Sequence, residues 1–204
     1  MSRAEVLRAS PALFESRWLD RLTRVRPFVP ALVFGPLIGL LAGLAVARAG
    51  LLGCLVGVVG GYGLWTLAEY WIHRSLFHIE PRSRMGERVH FIIHGVHHDH
   101  PNDPLRLVMP PAVSVPLAVL FLIVFVAIFG TPLGWSVGAG FLAGYLAYDM
   151  LHYALHHHRN PRTALERRLR ELHMRHHFED DKHGYGISAP WWDIVFGTFA
   201  RRGG

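Results

Sequence analysis

Four long apolar runs, almost free of charge, divide the chain at 28–47, 51–72, 107–129 and 135–155. Each is close to the roughly 20 residues an α-helix needs to cross a bilayer core of about 30 Å. The pattern predicts an all-α integral membrane protein with four transmembrane helices. Ala49 and Gly50 separate the first two runs, which predicts a tight hairpin, and 130–134 is a second turn. Pro30 and Pro36 lie in the first half of the first span. A proline near a helix start is tolerated, and a kink is expected at Pro36. Pro110, Pro111 and Pro116 stand near the start of the third span. In the second span, Gly53, Gly57, Gly60 and Gly61 would let helices approach closely in lipid.

The segments between the runs are polar and basic. Residues 1–27 carry six arginines and three acids. Their apolar positions, Val6, Leu7, Leu13, Phe14, Trp18 and Leu22, suggest an amphipathic helix lying on the membrane surface. An ordinary soluble cap helix is the alternative. No signal-peptide pattern is present, so the segment is expected to be retained. Of 21 Lys and Arg residues, six lie in 1–27, five in 73–106 and nine in 156–204, and Arg48 is the exception. By the positive-inside rule these segments face the cytoplasm, with both termini on that side. That places the chain in the bacterial inner membrane, or in the endoplasmic reticulum of a eukaryote. The formal charge of +6 is then a topology signal. It is not the footprint of nucleic-acid binding, because the arginines flank spans instead of forming one groove.

The chemistry is carried by 15 histidines. The stretch HFIIHGVHHDHPNDPLRL, residues 90–107, places His90, His94, His97 and His98 at i, i+4, i+7 and i+8, one face of a helix. HRSLFH supplies His73 and His78, HYALHHH supplies His152, His156, His157 and His158, and HMRHH supplies His173, His176 and His177. Only His100 and His183 fall outside these groups. In the four-span topology all the clusters gather at one membrane face. Imidazole is the commonest metal ligand among side chains. The chain has one cysteine, Cys54, so histidine would carry the metal. His73 and His78 are five apart, about 140° around an α-helix. They converge only if the helix ends between them or if they serve different metals. Ten ligands exceed the coordination of one metal. Two metals with about five nitrogens each and open positions fit the count, and open positions mark catalysis. His90, His157 and His158 are reserves with supporting roles. Glu69 and Asp149 are the acidic residues within the spans, and each is expected to accept the second N–H of a ligand histidine, a carboxylate reaching the interface and direct metal ligation being the alternatives.

The motifs HRSLFH, HGVHH, HYALHH and HMRHH, with HGVHHDHPNDPLRLVMPP, YDMLHYALHH and HMRHHFEDDKHGYGISAPWWDIVFGT, resemble the membrane fatty acid hydroxylase superfamily. That superfamily also holds sterol desaturases and carotenoid hydroxylases. The match is closest to fatty acid 2-hydroxylases and covers about 60 to the C-terminus. The resemblance implies a metal pair beneath a four-helix stalk, within a cytosolic helical cap formed by 73–106 and 156–204. It makes 28–204 the hydroxylase domain and 1–27 an N-terminal cytosolic segment. Carried over by position, the ligands are His73, His78, His94, His97, His98, His152, His156, His173, His176 and His177. Eukaryotic members often carry a cytochrome b5-like domain, which is not seen here. A separate ferredoxin, rubredoxin or cytochrome b5-type donor with its reductase is therefore expected.

The implied reaction is hydroxylation of an unactivated C–H bond, which needs a redox metal and O₂. Two irons are expected, a non-heme di-iron monooxygenase. Imidazoles also hold Zn²⁺, which outranks Fe²⁺ in affinity, so zinc can occupy purified protein. The acyl chain would enter from the bilayer. Arg74, Arg82, Arg84, Arg88 and Arg106 are candidates to hold its head group, and each also reads as a topology-setting charge. A sterol or carotenoid hydroxylase or desaturase of the same superfamily is the alternative enzyme. A membrane metal carrier is the alternative outside catalysis. It would string ligands along the spans instead of collecting them at one end. PWWDIVFGTF is read as an interfacial aromatic segment packing the cap onto lipid.

Overall fold

The computed structural model describes residues 1–158 and 160–200. Arg159, Arg201 and Arg202, counted among the basic residues above, lie outside the described residues. Every described element is helical: α1 (Arg3–Leu7), α2 (Arg17–Leu22), α3 (Val29–Ile72), a π turn (His73–Phe77), α4 (Arg84–His90), a second π turn (Phe91–Gly95), α5 (Val96–Asp99), α6 (Pro111–Phe129), α7 (Leu133–His157), α8 (Ala164–Phe178) and α9 (Trp191–Val195). The chain divides into two compact units, residues 1–24, 67–107 and 151–204, and residues 25–66 and 108–150.

The second of these units is built from α3, α6 and α7. The helix α3 is interrupted at Gly50, whose φ of 71° is left-handed, so it consists of two arms, 29–49 and 51–72. This is the expected hairpin break, placed where glycine alone adopts the conformation freely. Pro36 sits inside the first arm, and the non-helical residue of α3 is Gly50, not Pro36. The third run becomes helical at Pro111 and not at 107, because Pro110 is extended (ψ 140°) and caps the helix.

Close approach between α3 and α7 depends on small residues from both helices. A Cβ on Gly61 would stand 2.0 Å from the Val137 carbonyl oxygen, and one on Gly140 2.0 Å from that of Val58. Gly57 meets Ser136 and Gly144 meets Trp65 in the same way. Gly60 faces open space, and a Cβ on Gly53 would meet only Ala49 of its own helix, so two of the four expected glycines make the contact. Trp65 packs edge-on to Phe141 and Tyr145, at 5.2 and 5.3 Å between ring centroids. The outward surface is apolar: Leu52 is 76% exposed, Val59 70% and Ile128 67%. A patch of this kind belongs in hydrocarbon, not water. Val29–Phe77 and Pro111–Phe129 are long and apolar enough to cross a membrane, and the chain is a membrane protein. The helix α7 differs because residues 136–142 are all buried, with Ser136, Gly138, Ala139 and Gly140 giving it a slim face.

In the first unit, residues 1–24 do not form one amphipathic helix. Pro11 disfavours helix at Ser10, and two short helices result, capped by Ser2 and Ser16. The segment is tied to 100–106: the Asn102 N–H donates to the Leu7 carbonyl (3.0 Å) and His100 Nδ1 to that of Val6 (2.6 Å). Arg106 is buried and donates to Asp20 (2.7 Å), Thr23 (3.3 Å) and the Pro11 carbonyl. On α2, Trp18 remains 68% exposed. The helix α8 starts at the Thr163 cap and buries Leu169, Leu172, His173 and His176 on one face.

Candidate metal centre

The local fold at the histidines departs from a plain α-helix twice, and both departures place ligands. After Ile72 the backbone widens into a π turn, in which the His78 N–H bonds the His73 carbonyl five residues back (3.2 Å). In an i→i+5 turn, residues five apart lie one above the other. The helix ends at Phe77, with His78 as its cap (φ −106°, ψ 24°), so His73 and His78 converge across a helix end, as their spacing required. The second π turn, Phe91–Gly95, lies between His90 and His97. It breaks the expected single stripe. His94 and His98 join one group, His97 another, and His90 turns away to donate Nε2–H to the Phe77 carbonyl (2.6 Å).

Ten histidines form two groups of five, all within the same compact unit. One is His73, His78, His94, His98 and His176, and the other His97, His152, His156, His173 and His177. In each group one nitrogen per ring lies within 4.8 Å of all the others. The Nε2 of His78 stands 3.2 Å from that of His73, 3.2 Å from that of His94 and 2.9 Å from that of His176. In the second group, His152–His97 is 3.1 Å, His156–His173 2.8 Å and His177–His173 3.2 Å. The groups abut, with the His98 and His177 rings 4.3 Å apart between centroids.

This donor set fits a metal pair. An imidazole nitrogen offers either one hydrogen or one lone pair, so the Nε2 of His78 cannot satisfy three neighbours by hydrogen bonding. Nitrogens about 2.1 Å from a metal and about 90° apart are about 3.0 Å from each other, and opposite ones about 4.2 Å. The observed spacings match. Five nitrogens around each centre leave room for a further ligand.

Two outer nitrogens have backbone partners. His73 Nδ1 donates to the Tyr185 carbonyl (2.7 Å) and His176 Nδ1 to the His183 carbonyl (2.8 Å). A carbonyl only accepts, so both rings carry their hydrogen on Nδ1 and turn a bare Nε2 inward. Burial first, and neighbouring imidazoles second, push His78 and His98 down to about 3. Burial likewise holds His73, His94, His97, His173 and His177 well below the ordinary histidine range. These rings are neutral at pH 7, the state that binds metal.

The other candidates fall elsewhere. Glu69 accepts from the Ser188 N–H (2.7 Å) and the Ser188 hydroxyl, and Asp149 from Tyr145 O–H (3.2 Å) and the Met109 N–H (3.4 Å). Their bonds go to a loop, a tyrosine and the segment before α6, not to ligand histidines as expected; backbone carbonyls fill that role at His73 and His176. His157 stacks on Tyr153 at 4.2 Å and His158 pairs with Glu166 at 3.2 Å. Arg106 is closed to a head group by its contacts with 1–24. Arg74 lies over the Tyr70 and Trp71 rings and donates to Tyr70 Oη (2.9 Å), whereas Arg82, Arg84 and Arg88 are exposed. In α9, Trp191, Ile194 and Val195 are at least half exposed, while Asp193 is buried. The carbonyls of Tyr185 and His183 escaped the sequence reading, since a backbone acceptor leaves no residue signature.

Residues 58–198 match the family model for fatty acid hydroxylase. A dihydroceramide fatty acyl 2-hydroxylase of Arabidopsis thaliana is 37% identical over 190 residues, 92% of this chain and 79% of that protein. A ceramide very long chain fatty acid hydroxylase of Saccharomyces cerevisiae is 36% identical over 196 residues, 94% of this chain and 50% of that one. The solved structure of full-length scs7p, in which only the hydroxylase domain is visible, superposes with a TM-score of 0.84 at 35% identity, over 91% of this chain and 70% of that chain. Matching residues, relatives and fold agree, and the chain belongs to the fatty acid hydroxylase family.

Proposed function

We propose that the chain is an O₂-dependent fatty acyl 2-hydroxylase in which each five-histidine group holds one metal ion, iron in the working enzyme. The observation that carries the reading is the pair of imidazole groups with spacings suited to metal coordination, in a chain whose relatives are named as 2-hydroxylases. When bound, the metal pair supplies the oxidising power toward O₂ and an unactivated C–H bond that side chains lack. The chain's own part is to hold the donors neutral, fix their orientation through the Tyr185 and His183 carbonyls, and surround them with buried structure. Zinc is an expected occupant after purification, because imidazole sites prefer it to Fe²⁺.

The topology belongs to the same proposal. Arms 29–49 and 51–72 of α3, together with α6 and α7, are the four spans. Residues 73–106, 156–204 and both termini lie on the cytoplasmic side. The histidines then stand at the ends of spans, where a carbon beside a lipid head group is nearest. Arg74 and Arg88 remain the head-group candidates. Electrons come from a separate ferredoxin, rubredoxin or cytochrome b5-type protein with its reductase. The test is turnover under ¹⁸O₂ with such a donor, read by lipid mass spectrometry. Label at C2 of the acyl chain is expected. A new double bond without label would make the chain a desaturase, label on a ring lipid would make it a sterol or carotenoid hydroxylase, and product formed without O₂ would overturn the oxidative reading.

A further inference from the structure

The loop 183–188 between α8 and α9 is held from both ends by buried carboxylates. Asp193, 1% exposed, accepts from the Tyr185 N–H (2.9 Å), the Gly186 N–H (2.8 Å) and the Thr198 hydroxyl (2.8 Å). Glu69, 3% exposed, accepts from the N–H and the hydroxyl of Ser188. Gly184 is left-handed, with φ of 80°, and its N–H donates to the Thr198 carbonyl (2.8 Å). A Cβ on Gly186 would stand 2.4 Å from the Ala189 carbonyl oxygen, so the loop has no slack there. Thr198 is fixed in turn, its hydroxyl lying 2.9 Å from Tyr70 Oη.

This clamped loop presents the two carbonyls, of His183 and Tyr185, that receive Nδ1–H of His176 and His73. Both histidines belong to the same group of five, the one centred on His78. In the other group, Nδ1 of His173 and of His177 has no hydrogen-bond partner among the described residues. The two carbonyls of the clamped loop therefore reach rings of one group, and two rings of the other stand without such a partner.

We propose that Asp193 and Glu69 are positioning residues: through loop 183–188 they set the ring orientation and tautomer of His73 and His176, and with them the metal affinity of the His78 group alone. The inference rests on the metal reading above. An isosteric Asp193→Asn places an NH₂ where a second acceptor is needed, against a backbone N–H. The loop loosens and the carbonyls drift from the Nδ1 hydrogens. Losing such an outer partner lowers metal affinity about 10- to 100-fold.

The test uses the full chain in detergent, with Zn²⁺ affinity measured by competition with a chromogenic chelator. In a His173→Ala background, Asp193→Asn is expected to weaken Zn²⁺ about 10- to 100-fold. In a His94→Ala background, which leaves the other group whole, it is expected to change nothing. Co²⁺ spectra add a readout that general loosening of the fold would not select: the visible bands should shift on Asp193→Asn in the first background only. Equal weakening in both backgrounds, or none in either, overturns the proposal. Failure of the unsubstituted chain to bind two Zn²⁺ overturns the metal reading itself, which separates the two failures. If Asp193→Asn does not fold, Ser188→Ala, which removes one of the two Glu69 bonds, should give a smaller loss in the same background. An unchanged affinity there counts against the clamp.

Discussion

Replacing His176 by Ala tests the division of the histidines into two groups. The ring is fully buried, its Nε2 lies 2.9 Å from that of His78, and its Nδ1–H meets the His183 carbonyl at 2.8 Å. The substitution removes one nitrogen from the His78 group and none from the other. Loss of a ligand costs at least as much as loss of its outer partner, about 10- to 100-fold, or about 1.4–2.8 kcal/mol of binding. The His183 carbonyl loses its partner as well, about 0.5–1.5 kcal/mol of fold stability. Metal content should fall from two ions per chain to one, and activity should vanish, since the proposed reaction draws on both. His97→Ala should give the mirror result by emptying the other group. Elemental analysis of purified variants, with melting followed in detergent, reads both effects. Retention of two tightly bound ions in His176→Ala, or loss of both ions from a chain that melts normally, would refute the partition.

Gly61→Ala should destabilise by more than about 3 kcal/mol, beyond the usual overpacking range, because its Cβ would meet a carbonyl oxygen at 2.0 Å. Gly60→Ala, facing open space, should be neutral or raise the melting temperature slightly; melting curves that rank the two the other way would sink the packing account. A cysteine introduced at exposed Thr131 should react with an impermeant thiol reagent from outside, and one at Arg88 should not. The opposite pattern would defeat the topology. Burial raises the pKa of Asp20, but the Leu13 N–H, Arg24 and Arg106 lower it by more, so the net value sits below the ordinary carboxylate range. The stabilisation is complete above about pH 4 and is lost as pH falls through the lowered value. Hydrogen exchange at the Leu13 amide should accelerate across that window, and Asp20→Asn should abolish the step.

The runs of apolar residues located the long helices closely, because a lipid-facing helix has little freedom in composition. Their ends moved where proline chemistry decided them, as at Pro110. The ten clustered histidines are the ones the fold brings together. Their division between two groups was not legible, since a π turn is a backbone event and HRSLFH reads the same in either geometry. Glu69, Asp149 and Arg106 were identified as buried or charged residues of consequence, but their partners lie up to 119 positions away in sequence and leave no local signal. The glycines of α7 went unremarked for a related reason. Gly140 becomes informative only once Val58 is known to lie against it.

The two π turns also determine which kind of genetic change this site withstands. A substitution at Leu76, 53% exposed, leaves the count of residues between His73 and His78 intact. Removing any one residue from 74–77 would let the backbone close into an ordinary α-helix, with backbone hydrogen bonds as good as before. The ring at 78 would then stand four places from His73 in an α turn instead of five in the wider one, and its approach to His94 and His176 would be set anew. Such a chain could fold and insert and still lack a complete donor set. Length between His73 and His78, more than residue identity, is what this segment must conserve, and frame-preserving single-codon deletions are the lesions to which it is most exposed.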